Sequence, residues 1–163
     1  MLIHLKNKDK LIVGGFKFKC CIGKSGTKKN KIEGDNYTPK GTFTFGTLYY
    51  RKDRVNKPFT NLKKKIIKPN LGWCNDPRNI FYNKEIKIQK KIHHEKLYRK
   101  DQKYNYFIVI NYNIKKTFPN KGSAIFLHLT KNYHNTAGCV ALKKNDFLIL
   151  LKLINKKTKI KIY

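Results

Sequence analysis

A chain of 163 residues with 40% hydrophobic residues, ten Tyr and ten Phe has the composition of one globular domain and excludes a disordered polymer. Its formal net charge of +29 calls for an anionic partner, yet only four of its 38 basic residues are arginine and the lysines run from end to end. That pattern excludes a focused nucleic-acid patch built on bidentate arginine contacts. Lys, Asn and Ile are heavily used, as A/T-rich coding would produce, so the charge is read as compositional, with attraction for anionic ligands such as peptide carboxylates as its consequence. The expectation is a single domain over residues 1–163, monomeric, with no specific nucleic-acid partner. The longest apolar run, Phe147 to Leu151, is far too short to span a bilayer, and no secretory segment is visible at the start. Taken alone, this points to the cytoplasm.

In chain order, "LIHL", "KLIV" and "FKFKCCI" alternate as three short strands. Cys20 and Cys21 fall on opposite faces of the third and read as packing residues. Residues 23–41, rich in Gly, Asn, Asp and Pro, form a long loop of the kind that tends to carry function. "TFTFGTLYY" (42–50) alternates again. Residues 51–102 show weak periodicity, broken at Pro58, Pro69 and Pro77, with Cys74 either buried or beside a site. "NYFIVINYN" (105–113) is the strongest strand, and "SAIFLHL" (123–129) is another. "KKNDFLILLKLINKK" reads as a helix with Asn145 as N-cap, Asp146 in its first turn and lysines at its end. "TKIKIY" closes the chain as a strand. The sum is mainly β with one helix, as a two-sheet sandwich or a partly closed barrel. No C-x-x-C pair exists among the four cysteines, which argues against a structural zinc site and a disulfide framework.

Chemistry concentrates in "SAIFLHLTKNYHNTAGCVAL". His128 ends a strand, and Cys139 follows a glycine eleven residues later. A thiol needs a base to become a nucleophile, and a strand end beside a turn can supply one. Gly138 permits a tight turn, and the backbone N–H groups of Gly138 and Cys139 could form an oxyanion hole. The residues alone leave a second reading open: a hydrogen-bonded histidine and a small core cysteine. His134, in a polar turn, reads as an exposed loop residue.

"SAIFLHL…TAGCVAL" resembles the catalytic segment of the L,D-transpeptidase (YkuD-type) domain, in which a strand-end histidine precedes a Ser/Thr-x-Gly-Cys turn. "GKSGTKKNKIEGDNYTPKGTFTF" resembles the same domain's G-K…E-G-D-x-x-T-P-x-G-x-F stretch, and "GWCNDPRNIFYN" and "HEKLYRKDQKYNYFIVINYN" resemble segments of a small single-domain branch. The resemblance covers about Gly23 to Tyr163. It implies an L,D-transpeptidase-like β-sandwich with a helix following the catalytic cysteine and a cleft above Cys139. The substrates implied are peptidoglycan stem peptides or muropeptides. Cys139 would be the nucleophile, His128 the general base, and Thr136 the residue that orients His128 through its carbonyl or hydroxyl, with Gly138 completing the turn. No metal or cofactor is implied, and the compartment would be the cell envelope or periplasm. Two departures touch substrate contacts: Ala137 stands where many members have His, and Val140 and Ala141 stand where many have Arg or Asn.

Arg99, Trp73, Tyr82 and Ser123 are the substrate-binding candidates. Arg99 could clamp a carboxylate or pair with Glu95 along a helical turn. Trp73 and Tyr82 could line the cleft or pack. Glu33 and Asp35 could cap the long loop or meet a substrate amine, with the structural role preferred. The activity expected is L,D-transpeptidation with release of D-alanine. The alternatives are L,D-carboxypeptidase action through the same acyl-enzyme and, in another class, polyanion binding.

Overall fold

Strand period decides which side chains enter the core. In the computed structural model, which describes residues 1–163, the strands β1 (Leu2–Lys6), β2 (Lys10–Val13) and β3 (Phe16–Cys21) form an antiparallel meander. Ile3, Leu5, Leu11 and Val13 are buried while Lys10, Lys17 and Lys19 face water. Gly14 and Gly15, both at positive φ, make the two-residue turn that joins β2 to β3. Residues 23–41 hold only two short paired strands, β4 (Thr27–Lys28) and β5 (Thr38–Pro39).

The next strand, β6 (Gly41–Tyr50), runs for ten residues and closes the fold. Residues 41–44 pair with the last strand, and Phe45 to Tyr50 pair with β11 (Tyr106–Ile110). Between them the chain adds β7 (Lys64–Ile66), β8 (Leu71–Cys74), β9 (Glu85–Lys87) and β10 (His94–Lys96). After β11 come β12 (Phe126–Leu129), β13 (Val140–Leu142), helix α1 (Lys144–Leu153) and β14 (Lys159–Ile162). The ring β11-β12-β13-β3-β2-β1-β14-β6 returns to β11, so the expected sandwich is instead a closed eight-stranded barrel, with β7 added alongside β6. Closure follows from the length of β6, which serves two partners and removes the free edges a sandwich would keep.

The segment with weak sequence periodicity contributes a small second sheet, β10-β8-β9. Its strands have only three or four residues, too few for a period to register. Helix α1 is shorter than expected and starts earlier. Lys143, not Asn145, is its N-cap and makes no side-chain cap bond, while Asp146 does lie in the first turn and Lys152 in the last.

The core is divided by the barrel wall. Inside lie 25 buried residues, mostly aliphatic, including Ile108, Leu127, Val140 and, from α1, Phe147, Leu150 and Leu151. Outside β6, β11 and β12 lies a second cluster of 11, rich in rings: Tyr49, Trp73, Tyr104, Phe107 and Phe126, with Cys139 among them. These strands are buried on both faces, so Tyr106, Ile108 and Ile110 point one way and Phe107 and Val109 the other.

Candidate active site

Parity places the histidine and the cysteine together. On β12, Leu127 and Leu129 face the barrel interior, so Phe126 and His128 face the aromatic layer. On β13, Val140 and Leu142 face inward, which turns Cys139 outward, on the side of Phe126 and His128. The two strands are parallel neighbours with Leu127 opposite Val140 and His128 opposite Ala141. Both residues line one open cavity of about 960 Å³.

The turn before Cys139 is fixed from two directions. Gly138 has φ +142°, and a Cβ there would come within 2.9 Å of the Tyr37 carbonyl oxygen, so only glycine fits. Thr38, in the long loop, donates to the Gly138 carbonyl at 2.8 Å, and Lys24 N–H donates to the Thr136 carbonyl at 2.9 Å. The Thr136 hydroxyl donates to the Cys139 carbonyl at 2.6 Å and accepts the Gly138 N–H at 3.1 Å. The Thr136 hydroxyl is therefore engaged within the turn and its carbonyl with the long loop, and neither is bonded to His128. The ring is oriented by the Leu129 carbonyl, which accepts from His128 Nδ1 at 2.9 Å and leaves Nε2 as the unprotonated nitrogen. Of the two expected oxyanion donors, Gly138 N–H is already committed, while the Cys139 N–H has no protein acceptor.

The sulfur is held in its thiol form. Sγ donates to the Ala124 carbonyl at 3.2 Å and accepts the Phe126 N–H at 3.3 Å; it makes no hydrogen bond to His128. Burial, with the Glu95 charge adding to it, pushes the thiol up to about 12, the Phe126 N–H opposing. Burial brings His128 down to about 4, against the Leu129 hydrogen bond. The resting pair is neutral thiol and neutral imidazole rather than the thiolate–imidazolium pair that cysteine next to histidine suggests.

The remaining candidates separate cleanly. Ser123 lines the cavity. Arg99 also lines it, but Glu95 sits on strand β10, so no helical turn joins the two; Arg99 instead pairs with Asp101 at 2.5 Å and lies over the Tyr104 ring. Trp73 is not a cleft residue. It is buried in the aromatic cluster, edge-on to Phe126, with its indole N–H on Asn83 Oδ1 at 2.9 Å. Tyr82 is also buried outside the cavity lining; its hydroxyl donates to Glu33 and accepts the Gly122 N–H at 3.0 Å. Both are buried and neither reaches the cavity surface. Val140 and Ala141 are fully buried in β13, so the residues after the cysteine serve packing here. Ala137 is exposed on the cavity wall. His134 is an exposed loop residue whose carbonyl accepts from Cys21 Sγ at 3.2 Å, and Cys74 is fully buried. Asp35 caps the loop, accepting the Ile32 and Tyr37 N–H groups and the Lys31 ammonium.

Four further residues shape the site without a signal in the sequence. Lys31, 3% exposed, lines the cavity beside Gly138. Glu95 accepts from the Tyr104 hydroxyl, and the Tyr104 ring stands edge-on to His128 at 5.4 Å. Asn83 is a buried hub: Oδ1 accepts from Trp73 and from the Ala124 N–H, and Nδ2 donates to the Tyr112 and Asn113 carbonyls. It thereby fixes the turn whose carbonyl holds the thiol. Only the scarcity of acidic residues in so basic a chain could have drawn attention to Glu95.

Comparison with known proteins adds a family. The model of the L,D-transpeptidase catalytic domain (YkuD) matches residues 3–162. Among solved structures, the chain is similar to an L,D-transpeptidase from Mycobacterium smegmatis, at 13% identity and a TM-score of 0.47, with 99% of this chain and 58% of that one covered. The chain thus spans little more than half the length of that relative. A comparison with curated proteins finds no match.

Proposed function

The chain belongs to the L,D-transpeptidase catalytic domain family, and from that footing we propose that Cys139 carries out acyl transfer on peptidoglycan stem tetrapeptides. The observation that carries this reading is the shared outward parity of His128 and Cys139 on adjacent strands, opening into one cavity.

In this reading the substrate carbonyl between the third residue, a diamino acid, and the terminal D-alanine enters above Sγ. Because the resting thiol is protonated, attack and proton transfer are coupled: Sγ bonds to the carbonyl carbon as its proton passes to His128 Nε2. The Leu129 carbonyl fixes the ring for that transfer and favours the imidazolium once formed. The free Cys139 N–H is the oxyanion donor. Collapse of the tetrahedral adduct breaks the C–N bond, and His128 returns its proton to the departing D-alanine amine. An acceptor amine then attacks the thioester, gives its proton to His128 and restores the thiol. Water in its place gives the L,D-carboxypeptidase outcome.

Incubation with purified tetrapeptide muropeptides, with products weighed by mass spectrometry, tests the reading. The expected product is a cross-linked dimer with one D-alanine lost. A tripeptide would make the enzyme a hydrolase, and unchanged substrate would return the protein to the polyanion-binding class.

A further inference from the structure

The chain has 38 basic residues and nine acidic ones, of which only three are glutamates. Two of those three, Glu33 and Glu95, line the cavity that holds Cys139. They arrive from distant parts of the chain, Glu33 from the long loop and Glu95 from β10. Each is held by a tyrosine hydroxyl, Tyr82 on Glu33 and Tyr104 on Glu95. Neither forms an ion pair, although other charges lining the cavity do: buried Lys31 with Asp35 at 2.6 Å and the more exposed Arg99 with Asp101 at 2.5 Å. The lysines at the mouth, Lys100, Lys103, Lys131 and Lys144, are exposed. Two half-buried carboxylates with no salt-bridge partner, in so basic a chain, leave charge-assisted acceptor capacity facing a ligand space, and the nearest guanidinium, Arg99, is already committed to Asp101.

A second observation points to a ligand at the same place. Only two buried side-chain polar atoms in the protein lack a hydrogen-bond partner, Ser123 Oγ and Asn105 Oδ1, and both residues line this cavity. Ser123 is 6% exposed. Asn105 Oδ1 can only accept and Ser123 Oγ can accept as well as donate, so a ligand that donates hydrogen bonds satisfies both.

We propose that Glu33 and Glu95, with Ser123, form a subsite for the side-chain ammonium of the diamino acid whose carbonyl Cys139 attacks. The proposal rests on the acyl-transfer reading above and gives it a specificity element. Two carboxylates keep an amine protonated, and a protonated amine cannot attack a thioester. The subsite therefore suits the donor peptide's spectator amine rather than the acceptor's reacting one. Burial pushes the Glu95 carboxyl up, the Tyr104 hydrogen bond and the Arg99 charge opposing and the Glu33 charge adding to it; a bound cation would favour the ionised form.

The test uses the full chain carrying Cys139→Ala, which binds without turnover, and isothermal titration calorimetry with two synthetic stem tetrapeptides. One has a free side-chain amine on its third residue, and the other has that amine acetylated. The free-amine peptide should bind about tenfold tighter, as expected for loss of charge-assisted hydrogen bonds. Adding Glu33→Gln and Glu95→Gln, which keep an acceptor for each tyrosine, should erase the difference. Equal affinity of the two peptides overturns the subsite and leaves the substrate class standing, as does a preference that survives both glutamine substitutions. Failure of both peptides to bind overturns the substrate class together with the subsite.

Discussion

The two faces of β12 carry different burdens. Leu127 points into an aliphatic core of 25 residues that eight strands close around. His128, the next residue, points into a ring-rich layer of 11 buried residues that also holds Cys139. The inner face is apolar and can be completed by any side chains of the right volume. The outer face buries a thiol, an imidazole and half-buried carboxylates beside it, each needing a named partner. Stability is concentrated on one face and chemistry on the other, one residue apart.

The sharpest way to break that division is to substitute neighbours. Cys139→Ala should abolish acylation, by about 10³-fold or more, with the barrel intact by circular dichroism. His128→Ala should slow single-turnover acylation, followed by intact mass, on the order of 10²–10⁴-fold, whereas His134→Ala should have little effect. Leu127→Ala should do the reverse: about 2–5 kcal/mol lost in denaturant unfolding, with near-normal acylation per folded molecule. If Leu127→Ala instead lowers acylation as much as His128→Ala, the two faces are not separate.

Asn83 joins the aromatic layer to the thiol, so its loss should register on both scales. Asn83→Ala removes bonds to Trp73, Ala124, Tyr112 and Asn113. A cost of about 2–4 kcal/mol in stability is expected, together with altered alkylation of Cys139, read by peptide mapping.

Proton linkage gives smaller, directional effects. His128 is held near 4 in the native protein against 6.5 when free, so the unfolded chain binds the proton first. Stability from this group should fall as pH drops from about 6.5 towards about 4, by roughly 3 kcal/mol in all, and a His128→Gln variant should lose that slope. Cys139, at about 12, acts at the other end: its contribution is intact below the unfolded thiol's value and is lost as pH rises beyond it. Alkylation of Cys139 by iodoacetamide should therefore climb roughly tenfold per pH unit through pH 10 without levelling near 8.5. A plateau near neutrality would mean a pre-formed thiolate pair and would replace the coupled proton transfer with attack by a resting thiolate.

Alternation in "LIHL", "KLIV", "FIVI" and "FLHL" is a local property, so the mainly β class and the orientation of His128 were readable from the residues alone. So was the Gly-Cys turn, because glycine before a cysteine between polar turn and apolar run leaves few conformations. Barrel closure was not readable: it depends on β6 pairing at once with β11 and with β14, strands far along the chain from it, which no periodicity encodes. Nor was the fate of Trp73 and Tyr82, whose burial is set by the turn that Asn83 holds. The neutral resting state of Cys139 and His128 and the meeting of Glu33 with Glu95 belong to the tertiary structure too, since both arise from desolvation and from charges brought together across the chain. The sequence by itself determined which residue types were available and which way each strand residue points; only folding decided how far from water they lie, and that distance governs their chemistry.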